Sequence, residues 1–310
     1  MSVRTQKNKK NFFNSKFLIV GTVRNCEKII KKQIKIINDA FINTALTKWL
    51  IVESDSDDNT LKVLKTLSHE LNLKYVSLGS LYNKFPNRIN RLSVCRNYYL
   101  NEINNNIEYD NIDYVVIADL DGVNLELNQS ALQTCWNQTV DWDVLFANQS
   151  APYYDIKALR HKIWSPNDCS ANVKFLINHG VDLYSAEATA VWSRMIKINI
   201  THEPIEVDSA FGGLGIYKKK VLKGCNYDGG LDKNESEHIF LNKQIKDRGY
   251  RLYILPSLIN GGWNEHNSNL RFHNRIKKKL SYYFINFLSI FFSEMKLRKY
   301  LNTIRKFINK

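Results

Sequence analysis

The chain has 310 residues, 44% of them hydrophobic and 24% charged, which supplies enough apolar sequence for one large folded domain and excludes a disordered polymer. The formal net charge of +14 belongs to the ends: residues 1–16 hold five basic residues and no acid, and residues 271–310 hold eleven basic residues and one acid. The remainder is nearly neutral, which argues against nucleic acid as the partner of the folded body. Five scattered cysteines without CxxC spacing argue against a disulfide framework.

The first half of the chain alternates strand and helix patterns. The predicted strands are 17–23, 48–53, 73–78 and a run beginning near 115, and the predicted helices are 27–42, 61–71 and one that begins near Arg91. This rhythm predicts an α/β fold, with a mixed, mostly parallel sheet and helices on both faces. Ligands of such sheets bind beyond the carboxyl ends of the strands, where the loops converge.

Two aspartates, Asp119 and Asp121, follow the fourth predicted strand in the segment VVIADLDGV. An aspartate before Gly122 is ordinary turn chemistry, and a simple turn is one interpretation. Two close carboxylates repel each other, however, unless a cation neutralises them. Oxygen ligands of this kind suit Mg²⁺ or Mn²⁺, which keep further positions for phosphate oxygens. We therefore predict a metal-bridged diphosphate at this pair.

Several motifs together carry a resemblance to a known family. They are VRNCE (23–27), VESDSDDNT (52–60), RINRLSVCRNYYL (88–100) and ADLDG (118–122). In this order and spacing, the chain resembles GT-A fold nucleotide-sugar glycosyltransferases, most closely capsule-associated mannosyltransferases of the CAP59 type and related bacterial polysaccharide enzymes. The resemblance extends over about residues 16–260. It departs from the commoner pattern at Ser54, which stands in place of a second acid.

The resemblance implies a donor site and a retaining reaction. It places Thr22, Arg24 and Glu53 around the nucleoside, and it places Arg96 on a helix that faces the donor, where its guanidinium binds a phosphate. Asp119 contacts the donor through the metal. The alternatives are a helix-capping role for Glu53 and an exposed surface position for Arg96.

The second half of the chain carries fewer signals. The loop VDSAFGGLGIY (207–217) lacks the spacing of a phosphate-binding P-loop, and we predict that its glycines admit a sugar close to the backbone, with Asp208 as a hydroxyl partner. A plain turn is the alternative. The segment 234–258 resembles the part of these transferases that follows the acceptor loop.

The segment 234–258 also supplies candidate catalytic residues. Asn234 would cap its helix, and Glu237 or Glu235 would act as a base or bind the acceptor. Acids in a first helical turn also simply favour the helix dipole. His266 is either a third metal ligand or a structural histidine.

The sequences of the two termini indicate where in the cell the protein is located. We assign residues 1–15 to a basic arm and residues 271–310 to a basic amphipathic helical tail, whose apolar stripe from Leu280 to Phe292 is too short to span a bilayer. The stripe and its basic flanks favour an interfacial helix on an anionic membrane, with packing on the domain as the alternative. Without a signal peptide, we expect a cytoplasmic protein, peripheral on the inner face of the cell membrane.

These observations predict a metal-dependent glycosyltransferase of surface polysaccharide or lipopolysaccharide assembly. Residues 16–125 would bind the nucleotide sugar and residues 126–270 a glycan or lipid-linked saccharide, with Mn²⁺ or Mg²⁺ as cofactor. One rival is a nucleotidyltransferase, which needs a glycine-rich, basic loop after the first strand that GTVRNCEKII lacks. The other is a non-catalytic basic protein that binds RNA or membrane through its ends.

Overall fold

The computed structural model describes residues 11–228 and 235–271, and its centre is one eight-stranded sheet. The strands are β1 (Lys16–Val23), β2 (Leu46–Glu53), β3 (Leu73–Ser77), β4 (Tyr114–Ala118), β5 (Val144–Gln149), β6 (Ile205–Val207), β7 (Leu214–Lys218) and β8 (Leu252–Gly261). Their order is β3-β2-β1-β4-β7-β5-β8-β6. The strands β6 and β7 run opposite to the other six, so the sheet is mixed and mostly parallel.

Helices cover both faces of this sheet. They are α1 (Ile30–Ala40), α2 (Thr60–Glu70), α3 (Arg88–Asn105), α4 (Gln129–Gln133), α5 (Cys169–Asn178), α6 (Leu183–Ala190) and α7 (Glu237–Asp247). Alternate residues of β1 belong to opposite faces: Leu18 and Val20 pack in one buried cluster with α3 and α7, whereas Phe17 and Ile19 pack in another with α1, α2 and α4. The predicted α/β fold class is therefore confirmed.

The predicted elements of the first half are confirmed within a few residues, but one domain boundary is wrong. Phe12 is only 2% exposed, and its ring packs against those of Phe17, Phe41 and Trp136 at centroid distances of 5.7, 6.1 and 5.1 Å. Residues 11–15 thus belong to the packed domain rather than to a basic arm. Burial of the Phe12 side chain stabilises this arrangement, whereas in a free arm the ring would stay exposed to water.

The predicted tail helix lies outside the described residues. Within the described ranges, no helix combines the length and the hydrophobicity that crossing a bilayer requires.

Candidate active site

The site lies at the edge of the sheet where the parallel strands end. Asp119 and Asp121 follow β4 directly, as predicted, and Asp121 is exposed while the side chain of Asp119 is 31% exposed. The backbone of Asp119 is held on both sides: its N–H donates to the carbonyl of Gly213 at 2.9 Å, and its carbonyl accepts from Asn124 Nδ2 at 2.7 Å. The first of the two metal-binding candidates therefore has a fixed backbone.

A buried amide network fixes the glycine loop against this backbone. Asn124, Gln149 and Asn260 are at most 1% exposed. Asn260 Nδ2 donates to Asn124 Oδ1 at 2.7 Å, and both Asn260 Nδ2 and Gln149 Nε2 donate to the carbonyl of Gly212, at 2.8 and 3.1 Å. Because buried amides are costly when unpaired, this network specifies one position of the loop. Sequence reasoning did not identify these three residues as part of the site.

The glycines of this loop admit protein groups rather than a sugar. Gly213 has a φ of 83°, and a Cβ there would lie 2.6 Å from Val123 Cγ2 and 2.8 Å from Tyr154 Oη. The predicted close approach of a sugar to the glycines of this loop is therefore contradicted at Gly213, since neighbouring residues already fill the space.

Asp208 does not belong to the site. It is exposed, and its carboxylate lies 3.7 Å from Lys246 Nζ near the last turn of α7. Glu237, which contacts the site, begins the same helix, about 13 Å away along its axis at 1.5 Å per residue. The sequence-based role of Asp208 as a sugar partner is thus wrong, because β6 and its following loop run along α7 toward the site and reach it only near Gly212.

Arg96 is a buried cation that contacts Asp119, one of the two candidate metal ligands. It is 4% exposed, its Nη2 lies 3.3 Å from Asp119 Oδ1, and its Nε lies 3.0 Å from Glu237 Oε1. The guanidinium also faces the rings of Phe211 and Tyr227, at 5.6 and 5.7 Å. The predicted phosphate-binding role and the alternative of an exposed arginine are both wrong, because this guanidinium is enclosed by protein groups.

The first turn of α7 contributes two buried residues. Glu237, 6% exposed, begins the helix, so Glu235 precedes it; Asn234 lies outside the described residues. His238 is 3% exposed and stacks on Phe211 at a centroid distance of 3.6 Å, and neither ring nitrogen has a hydrogen-bond partner. Burial, reinforced by the nearby guanidinium, lowers the pKa of His238 well below its usual value, so the imidazole is neutral.

The loop after β5 adds an acid that sequence reasoning missed. Asp155 accepts hydrogen bonds from the backbone of Gly212 at 3.0 Å and of Ala158 at 3.3 Å. Burial and the charge of Glu237 raise the pKa of Asp155. The signal was available, because Asp155 follows a buried strand at the same edge of the sheet as Asp119.

His266 stacks on Tyr154 rather than completing a set of metal ligands. Their rings are 5.2 Å apart with an interplanar angle of 20°. The described residues contain no group of three histidines, cysteines or acids arranged to hold a metal ion. The prediction of His266 as a third ligand is therefore not supported, and its observed contact is a structural one.

The two aspartates fit a hard divalent ion. Burial, followed by the charge of Asp121, raises the pKa of Asp119 to about 7, although Arg96 opposes the shift. An acid so perturbed is one that a cation would return to its ionised form. Two carboxylates with open positions are the donor set that Mg²⁺ or Mn²⁺ shares with phosphate oxygens.

Glu53 holds its own loop instead of lining a nucleoside pocket. It is 1% exposed, and its two oxygens accept from the backbone of Ser56, at 2.9 Å, and from the hydroxyl of Ser77. It does not cap α2 either, since Asp58 accepts from the N–H of Thr60 at 2.9 Å. The nucleoside role predicted for Glu53 is therefore wrong, because its carboxylate is enclosed and already bonded.

The second acidic motif clamps the loop that follows β1. Asn25, Cys26 and Glu27 donate their backbone N–H groups to Ser56 Oγ, Thr60 Oγ1 and Asp58 Oδ2, at 3.1, 2.8 and 3.1 Å. At this edge, Thr22 is half-buried and Arg24 is exposed, with Arg24 Nε donating to the carbonyl of Asp55 at 3.2 Å. Thr22 and Arg24, which were predicted to contact the nucleoside of the sugar donor, thus remain accessible to a ligand.

Comparisons with known proteins find similarity only among solved structures. No protein-family model and no curated sequence matches the chain. The structure of S. aureus TarS 1–349 in complex with UDP-GlcNAc is similar, with 16% identity and a TM-score of 0.47, over 82% of this chain and 60% of that one. The mannosyltransferase PcManGT from Pyrobaculum calidifontis in complex with GDP-Man and Mn²⁺ has 15% identity and a TM-score of 0.44, over 79% and 56%.

A third similar structure is 4-diphosphocytidyl-2C-methyl-D-erythritol synthase from Anaerococcus prevotii DSM 20548, with 10% identity and a TM-score of 0.43, over 83% of this chain and 99% of that one. The chain spans less than two thirds of the TarS and mannosyltransferase structures. Similarity at this level identifies no donor, acceptor or catalytic residue of this chain.

Proposed function

We propose that this protein is a metal-dependent glycosyltransferase, which moves a sugar from a nucleoside-diphosphate sugar to a glycan or lipid-linked saccharide in surface polysaccharide or lipopolysaccharide assembly. The observation that carries the proposal is the pair Asp119 and Asp121 at the carboxyl edge of a mostly parallel sheet, with the backbone of Asp119 fixed by two hydrogen bonds. Arg96 supports the pair from behind, at 3.3 Å from Asp119.

The donor half of the reaction needs stabilisation of a departing diphosphate. Cleavage of the anomeric C–O bond leaves negative charge on that group, and Mn²⁺ or Mg²⁺ held by Asp119 and Asp121 would stabilise it as a Lewis acid. The chain's own contribution is to fix Asp119 through its backbone and through Arg96. Thr22 and Arg24 lie at the same edge, where the nucleoside would bind.

The acceptor half needs a proton acceptor if the sugar is transferred with inversion. Glu237 is 3.0 Å from Arg96 and 6% exposed, so we assign it a positioning role in place of the predicted base. Asp155 is partly exposed, and burial raises its pKa, which makes it a better proton acceptor near neutral pH than an ordinary aspartate. A retaining reaction, which the family resemblance implies, would not require Asp155 as its proton acceptor.

Location at the inner face of the cell membrane remains part of the proposal. The eleven basic residues among 271–310 support binding to an anionic surface. A lipid-linked acceptor would give the transferase a reason to bind there.

A screen of nucleotide sugars with Mn²⁺ tests this function. A ligand at about 100 times its Kd stabilises the folded state by about 2.7 kcal/mol, which corresponds to a rise of roughly 5–11 °C in Tm for a domain of this size. We expect such a rise with one donor class, dependent on Mn²⁺, together with slow hydrolysis of that donor. Release of pyrophosphate from a nucleoside triphosphate would instead identify a nucleotidyltransferase, and no response to any nucleotide would favour a non-catalytic protein.

A further inference from the structure

The hydroxyl of Tyr154 is a polar group at the candidate active site to which the proposed reaction gives no role. Tyr154 lies in the loop after β5 and is partly buried. Its Oη is 2.8 Å from the position that a Cβ on Gly213 would take, and the carbonyl of Gly213 accepts from the N–H of Asp119. The hydroxyl therefore lies beside the first of the two candidate metal ligands.

Tyr154 is held by its backbone and by its ring, but not by its hydroxyl. Its N–H donates to Oε1 of Gln149, a member of the buried amide network, at 3.4 Å. Its ring stacks on that of His266, with the centroids 5.2 Å apart. Within residues 11–228 and 235–271, no hydrogen bond is made by the hydroxyl. The side chain is thus oriented before a ligand binds, and its hydroxyl keeps its capacity to bond that ligand.

The acids around this hydroxyl keep it protonated. Burial, followed by the charges of Asp119 and Asp155, raises the pKa of Tyr154 well above its usual value, and Asp121 adds to the shift. The phenol is therefore neutral near pH 7 and has a proton to donate. A sugar hydroxyl at this place would accept that proton in a hydrogen bond and donate its own to a neighbouring carboxylate, so its chemistry matches both groups.

The position of Tyr154 along the sheet favours one part of the donor, the transferred sugar. The strands β1, β4, β7 and β5 are consecutive neighbours, so the ends of β1 and β5 are about 14 Å apart at about 4.8 Å per strand. Thr22 and Arg24 lie at the end of β1, Asp119 follows β4, and Tyr154 follows β5. In a nucleoside-diphosphate sugar, the sugar is bonded to the diphosphate on the side away from the nucleoside. A nucleoside near β1 and a diphosphate at Asp119 therefore bring the sugar to the loop after β5.

We propose that the Tyr154 hydroxyl donates a hydrogen bond to a hydroxyl of the transferred sugar and so selects donors that carry a hydroxyl at that position. A site built to bond a substrate hydroxyl discriminates against the analogue that lacks it. The inference rests on the proposed function, because it needs a nucleoside-diphosphate sugar at Asp119 and Asp121. His266 is then a positioning residue, which orients the phenol ring by stacking on it.

Calorimetric titration of the full chain with Mn²⁺ separates the sugar contact from the rest of the donor. The probes are UDP, GDP, ADP and dTDP, each alone and as its glucose, galactose, mannose and N-acetylglucosamine conjugates. Tyr154→Phe should bind the preferred conjugate about tenfold more weakly than the wild type, which is the effect of one lost hydrogen bond, and should bind the matching diphosphate equally well. The matched control is Tyr250→Phe, since Tyr250 is also partly buried but precedes β8, at the opposite edge of the sheet. Both affinities should be unchanged in this control.

Deoxy analogues of the preferred conjugate identify the bonded hydroxyl. Its removal should weaken binding about tenfold in the wild type and no further in Tyr154→Phe, because both changes remove the same hydrogen bond. Simple additivity of the two changes for every deoxy analogue would overturn the proposal.

Other outcomes also contradict a contact with the sugar. Equal losses for the diphosphate and its conjugate in Tyr154→Phe would mean that the hydroxyl bonds the diphosphate or a metal ligand, and no loss for either would mean that it bonds no part of the donor. Tyr154→Phe should unfold at the same urea concentration as the wild type, and a lower midpoint would mean that the hydroxyl is bonded within the protein. Failure of every diphosphate to bind in the presence of Mn²⁺ would instead contradict the proposed function itself.

Discussion

Replacement of Arg96 tests whether its charge holds the site together. The side chain is 4% exposed, and Arg96→Met would leave Glu237, 6% exposed, as a buried carboxylate without its cation. Removal of one partner from a buried ion pair typically costs about 3–5 kcal/mol. Asp119 is 31% exposed and can regain water, so we expect a value near the lower limit, about 3 kcal/mol.

The assay is urea unfolding of the metal-free protein in a chelating buffer. Arg96→Met should lower the free energy of unfolding by about 3 kcal/mol, and Glu237→Gln in the same background should recover about 2 kcal/mol of that loss, because the unpaired charge is gone. Lys243→Met is the control, because Lys243 lies on α7, the helix that also carries Glu237. Its partner Asp247 is 61% exposed and Lys243 is 67% exposed, so the change should cost at most about 0.5 kcal/mol.

The reasoning would be refuted by either of two results. One is a loss below about 1 kcal/mol for Arg96→Met, which would mean that the buried ion pair contributes no more than an exposed one. The other is simple additivity of the Arg96 and Glu237 substitutions, which would mean that the two groups do not interact in solution.

Three further predictions concern the loop, the metal and the proton acceptor. Gly213→Ala should lower the free energy of unfolding in urea by about 1–3 kcal/mol more than Gly249→Ala does. Both glycines have positive φ, but of the two only Gly213 has atoms within 3 Å of the new Cβ. Equal losses would contradict the packing described. Because the pKa of Asp119 is raised to about 7, Mn²⁺ affinity measured by calorimetry should fall about tenfold per pH unit below 7, and a flat profile would exclude this carboxylate as a ligand. In the metal-free protein the same shift stabilises the folded state at low pH, and that contribution should disappear as the pH rises from about 4 to 7. Asp155→Asn should lower kcat by about 10²–10⁴ in an inverting reaction, whereas an unchanged kcat would favour retention.

Local patterns in the sequence predicted the strands of the first half and the position of Asp119 and Asp121 at the end of one of them. Strand and helix periods depend on neighbours in the chain, so β1 to β4 and α1 to α3 were found with small errors at their ends. Asp119 and Asp121 were located by the rule that ligands bind where parallel strands end. The same rule, applied to β5, would have identified Asp155.

Contacts between distant segments could not be predicted in this way. Arg96 was assigned correctly to a helix, but its burial depends on Phe211 and Glu237, which lie more than a hundred positions along the chain. The glycines of the loop 207–217 were recognised as special, yet the groups that require a glycine at position 213, Val123 and Tyr154, come from two other loops. In both cases the pattern named the residue, and the fold decided what it contacts.

Calorimetric titration with Mn²⁺ and nucleoside-diphosphate sugars tests the central claim most directly. The wild-type protein should bind one donor class only when Mn²⁺ is present, and Asp121→Asn should abolish that binding without lowering the free energy of unfolding, because Asp121 is exposed and its charge only repels that of Asp119 in the metal-free protein. Absence of heat with every common donor, or equal binding by Asp121→Asn, would contradict a metal bridge between these aspartates and the diphosphate.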